Sequence, residues 1–538
     1  MIGLSSVDRS MSPPKVDIPR RYNAAYDLIE RNLQAGRASK LAYIDDQGEY
    51  TYGVLSERVD RCAAALRGLG LEPEQRLLLC LTDTIDFPTV FLGSIKAGIV
   101  PVAVNTMLKT SDYEHLLADS RAQAVAVSAS IYPVLQPVLA ASAVRHVLIS
   151  QGELPGTRSL SQLLEAAPPQ RVRPQETCAD EPCFWLYSSG STGKPKGTVH
   201  AHESLILTAE LYAGPILGMC ESDLLFSAAK LFFAYGLGNS LTFPLAFGAT
   251  TVLMAERPTP EAVFTRLRRH RPTLFCGVPT LYASLLAAPA APAAQELRLR
   301  ACISAGECLP PSIGEAWLKR FGVDILDGIG STEMLHIFLS NRPGEVQYGT
   351  TGTPVPGYDV RLLDEQGHLV GDGEIGELQV AGPTSAIHYW NNREKSRHTF
   401  HGPWTRTGDK FYRNPRGRYV HAGRADDMLK VGGIYVSPVE VETALLSHPA
   451  VHEVAVVGKR DDAGLVKPVA FVVVSAGTAA GSALAEQLKQ HVKAQLAPYK
   501  CPRWIEFLPE LPKTATGKIQ RFRLREMMQH SEHGSPTG

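Results

Sequence analysis

A chain of 538 residues is too long for one ordinary core, so two or more domains are expected. Apolar residues make up 44% and charged residues 20%, the balance of a soluble globular protein, and 54 Lys and Arg match 54 Asp and Glu. Such neutrality offers no bulk attraction to polyanions, which argues against nucleic acid or an anionic membrane as a partner.

The opening MIGLSSVDRSMSPPK has no apolar run behind positive charge, so no signal peptide is expected. Its nine cysteines form no C-x-x-C pair and no closely spaced framework, which suits reduced thiols in a cytoplasmic protein. In chain order, residues 20–180 alternate helical patterns with short apolar runs. SERVDRCAAALRGLG reads as a helix and RLLLCLTD as a buried strand; FLGSIKAGIVPVAVN repeats the scheme. Residues 122–144 carry no charge and are long enough to span a bilayer, but Pro133, Pro137 and several serines favour a buried strand, AVAVSAS, leading into a short helix. The proline-containing stretch AAPPQRVRPQETCADEP reads as a surface connection. The α/β pattern resumes to about residue 338, while residues 352–383 alternate with period two between glycine turns, as antiparallel hairpins do. After Arg424 comes a charged bend, ADDMLKVGG. Beyond it lie a helix (VEVETALLSH), strands EVAVVGK and PVAFVVV, and a helix (ALAEQLKQHVKAQLA). The expected fold class is α/β, with a large N-terminal domain of several subdomains (1–425) and a small, mobile α+β C-terminal domain (426–538). Parallel-type sheets and a small antiparallel unit make up the large domain.

The strongest chemical signal is YSSGSTGKPKGTVH, residues 187–200. An apolar strand, CFWLY, runs into a loop of small residues, and a helical pattern follows from about Ser204. Small residues let backbone N–H groups face a polyanion. Ser188, Ser189, Ser191 and Thr192 add hydroxyls, Gly190 and Gly193 add freedom, and Lys194 and Lys196 add charge. It is not a Walker loop: Ser188 stands where that motif needs glycine, and Pro195 follows Lys194 where it needs Ser or Thr. A kinase or P-loop NTPase is therefore disfavoured.

This segment resembles the phosphate loop of the adenylate-forming superfamily, which includes acyl- and aryl-CoA ligases and luciferase-like enzymes. Four further motifs follow in the same order: DGIGSTEML, RTGD, GRADDMLKVGGIYVSPVEVE and PKTATGKIQR, so the resemblance covers about residues 22–528. It implies ATP and Mg²⁺, with coenzyme A as co-substrate. Glu333 would hold Mg²⁺ and Thr332 the α-phosphate, although a Thr-Glu pair alone is usually a helix cap. Asp409, read as part of a Thr-Gly-Asp turn, would accept the ribose hydroxyls, with Arg424 as the matching contact. Ser304, Ala305, Gly306 and Glu307 would line the adenine, and Asp327 and Gly328 would border it from the other side. Lys518 would be the mobile catalytic cation, Asp426 the hinge, and Gly432 and Gly433 the thiol channel, with Lys500 a candidate for the CoA nucleotide. The P-x₄-G-K context of Lys518 implies an acetyltransferase and deacetylase acting on it.

The segments KLFFAYGLGN and GSTEMLHIF are similar to those of benzoate and 4-hydroxybenzoate CoA ligases. Phe233, Ala234, Tyr235, Gly330, His336 and Ile337 would form a slot for a flat ring. His336 would either hydrogen-bond a ring substituent or close the pocket. The alternatives are an aryl-AMP ligase loading a separate carrier protein, a ligase for another short or medium acyl acid, and a non-catalytic nucleotide-binding protein. Intact Glu333 and Lys518 argue against the last.

Overall fold

The structure, a computed structural model, describes residues 2–188, 195–425, 427–431, 434–461, 465–513 and 519–533. Packing divides the chain into two compact units: Met1–Val360 with Val380–Arg406, and Arg361–Gln379 with Thr407–Gly538. Asp426, the expected hinge, lies outside the described residues. No helix among the described residues is long and apolar enough to cross a membrane. The charge-free stretch 122–144 forms a fully buried strand, Ala124–Ser128, and the helix Tyr132–Leu139.

Among the described residues, two large sheets build the first unit. The eight-stranded sheet runs His388–Tyr389, Lys196–Ala201, Pro182–Ser188, Val100–Ala103, Arg76–Cys80, Ala124–Ser128, His146–Ser150, Arg158–Ser159. Its strands from Pro182–Ser188 to Arg158–Ser159 pair in parallel, whereas Lys196–Ala201 is antiparallel to both neighbours. The nine-stranded sheet places Ala301–Ser304 between Leu274–Gly277 and Ile325–Gly330, all parallel, and then turns antiparallel at Ile337–Ser340. Parallel strands are covered on both faces, so they read as unbroken apolar runs such as RLLLC, and this is what the sequence shows. The helix read in SERVDRCAAALRGLG spans Tyr52–Gly68, with Thr51 capping it through Val54 N–H.

The second unit has a three-stranded sheet. Val451–Arg460 and Val466–Val474 pair antiparallel, and Trp504–Phe507 joins the latter in parallel. Alternate residues feed two cores. Val454, Val456, Ala470 and Val472 pack with Leu484, Leu488 and Val492 of the helix Ser482–Gln495. Ala455, Val457, Val469 and Phe471 pack with Leu524 and Met528 of the helix Arg521–His533. The spacing of four between Leu484, Leu488 and Val492 is the apolar stripe of an amphipathic helix.

Candidate functional site

The helix expected from about Ser204 spans Glu203–Thr208, and the loop before it has one further element: Lys196–Ala201 is a strand that forms an antiparallel hairpin with Pro182–Ser188. KGTVHA escaped as a strand because its lysine and histidine break an apolar pattern, yet His200 is fully buried in the sheet. Ser189, Gly190, Ser191, Thr192, Gly193 and Lys194 lie outside the described residues.

The start of that loop meets the acidic motif. Ser188 Oγ donates to Glu333 Oε1 at 3.2 Å, and Tyr389 Oη donates to the same oxygen at 2.7 Å. Tyr389 reaches it because His388–Tyr389 is the edge strand beside Lys196–Ala201, with Tyr389 opposite Thr198. The Ala386 N–H caps the Glu333 carbonyl at 2.7 Å. His200 Nε2 donates to the Thr332 carbonyl at 2.8 Å; a carbonyl only accepts, so this nitrogen carries the proton. Burial pushes His200 down to about 4, which keeps the imidazole neutral. Two residues on, Leu335 has φ of +66°, a left-handed conformation that costs about 1–2 kcal/mol. That strained residue reverses the chain between Glu333 and the buried His336.

His336 sits in a cage of rings. Its centroid lies 4.6 Å from Phe243, 5.1 Å from Tyr212 and 5.6 Å from Tyr235. Gly238 is required here, since a Cβ on it would stand 2.4 Å from His336 Cδ2. Burial pushes His336 down to about 3, outweighing an opposing interaction with the Tyr235 backbone. The imidazole is therefore neutral. Tyr235 Oη lies 3.2 and 3.0 Å from the carbonyls of Gly277 and Ile303, so its hydroxyl is engaged with backbone and the ring acts as a wall. Ala234 opens the helix Ala234–Leu237 with Phe233 as its N-cap residue, and a π-helical turn, Gly238–Thr242, continues it. Ile337 begins the next strand behind Gly330, where a Cβ would stand 2.3 Å from the His336 carbonyl. The sequence reading missed Tyr212 and Phe243. Both lie within helical patterns that look like ordinary core.

The residues expected to flank the purine come together at the carboxyl ends of parallel strands. Ser304 closes Ala301–Ser304 and is directly opposite Asp327. Open α/β sheets bind ligands at such ends. Ala305 is buried, Gly306 turns with φ of +96°, and Glu307 follows half-buried. Gly328 packs against the next strand, where a Cβ would stand 2.8 Å from the Leu339 carbonyl. The Ser304 hydroxyl is buried with no hydrogen-bond partner.

RTGD is not an isolated turn but part of the strand Trp404–Arg413, and Asp409, in the second unit, pairs across to Arg424 on Tyr419–Arg424. Gly408 has φ of +74°, and a Cβ there would stand 3.0 Å from Arg424 Nη2. Asp409 Oδ1 lies 3.1 Å from Arg424 Nη1 and 3.5 Å from His421 Nε2. Burial alone would raise the Asp409 pKa, but His421 and Arg424 outweigh it and hold the group below the usual carboxylate range. His421 was not read from the sequence. Lys500 is bound by Glu440 at 2.6 and 2.7 Å to its two oxygens, so any phosphate would compete with a carboxylate already in place. Gly432, Gly433 and Lys518 lie outside the described residues.

The family model for the AMP-binding enzyme matches residues 29–390, and that for the AMP-binding enzyme C-terminal domain matches residues 440–518. The chain belongs to the AMP-binding enzyme family. Among AMP-binding enzymes it is 62% identical to a benzoate–CoA ligase of Thauera aromatica, over 98% of this chain and 100% of the relative. It is 50% identical to a 4-hydroxybenzoate–CoA/benzoate–CoA ligase of Rhodopseudomonas palustris, over 94% of each. A solved benzoate CoA ligase from Burkholderia xenovorans LB400 is 55% identical, with a TM-score of 0.88 over 94% of this chain and all (100%) of that one.

For an AMP-binding enzyme, the donor set bears on how Mg²⁺ would be held. No group of three or more His, Cys, Asp or Glu side chains that could cage a metal occurs among the described residues. Glu333 offers a single carboxylate whose Oε2 accepts no hydrogen bond there. One carboxylate with phosphate oxygens and waters is how Mg²⁺ is held when it arrives with a nucleotide. The residues fit that role.

Proposed function

We infer that this chain is an ATP-dependent benzoate-type CoA ligase that works through an aryl-adenylate and releases AMP and pyrophosphate. The observation that supports the reading is that His336, packed among aromatic rings, and the Glu333 carboxylate, held by the Tyr389 hydroxyl, lie within one strained turn of each other. The identity to benzoate–CoA ligases over the whole length supports it.

In the first half-reaction a carboxylate oxygen of the acid bonds to the α-phosphorus of ATP, and the bond to pyrophosphate breaks. Thr332 would hold the α-phosphate, and Asp409 would accept hydrogen bonds from the ribose hydroxyls. Ser304 and Asp327 would border the purine. Glu333 would hold the Mg²⁺ that arrives with ATP, and that ion would supply charge neutralisation for the phosphates. Lys518 would bridge the attacking carboxylate and the nucleotide oxygens, because attack of one anion on another needs a cation between them. In the second half-reaction the CoA thiol bonds to the acyl carbon and AMP leaves, with Gly432 and Gly433 lining the channel after a swing about Asp426. Acetylation of Lys518 would abolish its charge and block adenylation.

The cage favours a flat ring. Residues 232–235 hold no acid to bind an amino group, so benzoate-type acids are preferred over acetate, octanoate and amino acids. ATP–pyrophosphate exchange over a panel of aryl and alkyl acids, followed by thioester detection with CoA, tests the assignment. Benzoate should give the highest kcat/KM and a CoA thioester. Octanoate as the better substrate, or adenylate formed without thioester, would contradict it.

A further inference from the structure

We propose that Tyr389 is a positioning residue for nucleotide-bound metal: its hydroxyl fixes the Glu333 carboxylate while its ring carries the Lys196 side chain. The inference rests on the reading of Glu333 as the Mg²⁺ carboxylate.

Tyr389 is almost wholly buried, and its Oη donates to Glu333 Oε1 at 2.7 Å, the shorter of that oxygen's two hydrogen bonds. The opposite demand on the same side chain comes from Lys196, whose Nζ lies 4.4 Å from the Tyr389 ring centroid, at cation–π range. The ring is itself pinned by Phe400, with centroids 5.2 Å apart. One aromatic side chain therefore spaces the acidic group expected at the metal from a basic group expected at the phosphates. A free carboxylate beside a lysine would collapse into an ion pair and neutralise both. Holding Oε1 with a neutral hydroxyl leaves the full negative charge on Glu333 and fixes the orientation of its carboxylate. Hydrogen bonds to a charged group are the strong ones, and they shorten and orient.

The test uses the full-length enzyme and Mn²⁺ as a spectroscopic probe, titrated by electron paramagnetic resonance with a non-hydrolysable ATP analogue. Tyr389→Phe keeps the ring for Lys196 and removes only the hydroxyl; it should weaken Mn²⁺ binding about tenfold. Ser188→Ala, which removes the longer bond, should weaken it less. Glu333→Gln should weaken it most. Tyr348→Phe is the control: it deletes a similar tyrosine–carboxylate bond, Tyr348 Oη to Asp324 Oδ1 at 2.9 Å, and should leave Mn²⁺ binding unchanged. If Glu333→Gln weakens binding but Tyr389→Phe matches the wild type, the inference falls and the Glu333 reading stands. If Glu333→Gln itself has no effect, both fall. Equal weakening by Tyr389→Phe and Tyr348→Phe would mean general loosening and would also overturn the inference.

Discussion

Two carboxylates assigned to Mg·ATP are held in opposite ways. In the first unit, Glu333 is bonded by two neutral hydroxyls, Tyr389 at 2.7 Å and Ser188 at 3.2 Å. In the second unit, Asp409 lies against the Arg424 guanidinium at 3.1 Å and the His421 ring at 3.5 Å. Neutral donors orient a carboxylate without spending its charge, which suits a group that must attract a cation. Cationic neighbours offset the charge and lower the pKa, which suits a group that must stay ionised and accept hydrogen bonds from neutral ribose hydroxyls. The surroundings of a carboxylate, more than its presence, state what it is for.

The largest effect expected from this contrast is at Glu333. Glu333→Gln preserves shape and removes the charge, and adenylation measured by ATP–pyrophosphate exchange should fall on the order of 10²–10³-fold. A loss under threefold would show that the charge is not what the site uses.

At Asp409 the expected change is smaller and of a different kind. Asp409→Asn should raise the KM for ATP about tenfold, the scale of a hydrogen bond to a charged group. The same variant should discriminate less than the wild type between ATP and 2′-deoxy-ATP. Unaltered discrimination would move Asp409 away from the ribose.

Acid should separate the two regions with a gentler effect. His200, His202 and His336 are pushed by burial to about 4, 3 and 3. The unfolded chain takes up these protons near pH 6.5 and the folded chain does not. Stability should therefore hold above about pH 6.5 and fall below it, by up to about 1.4 kcal/mol per pH unit for each histidine. Asp409 has the depressed pKa of a paired carboxylate, so its contribution persists until the pH drops below its ordinary range. Amide exchange corrected for pH should show peptides around His200 and His336 losing protection between pH 6.5 and 5, ahead of strands Trp404–Arg413 and Tyr419–Arg424. The reverse order would contradict the burial argument.

The sequence made the motifs legible because their chemistry is local: small residues, hydroxyls and charges at fixed spacing. It also made the strands of both units legible where apolar runs are long, although PVAFVVV conceals that its alternate residues serve two different cores. What it could not show is partnership across distance. Tyr389 is 56 residues from Glu333, Ser188 is 145 away, and His200 is 132 from Thr332; tertiary packing joins them, not spacing. HYWNN carries no signal that its tyrosine faces an acid. Gly408 and Arg424 were legible as motif members, yet their closeness follows from a cross-strand register that no single sequence displays. The positive φ of Leu335 likewise has no mark in STEMLH.

The most direct test of the contrast is a Mg²⁺ titration of ATP–pyrophosphate exchange at fixed total ATP, run side by side on Glu333→Gln and Asp409→Asn. Glu333→Gln should shift the Mg²⁺ concentration at half-maximal rate upward by about tenfold or more, while Asp409→Asn should lower the rate at subsaturating ATP and leave that midpoint where the wild type has it. Equal shifts in both variants, or a shift in Asp409→Asn alone, would contradict the division of labour between the two carboxylates.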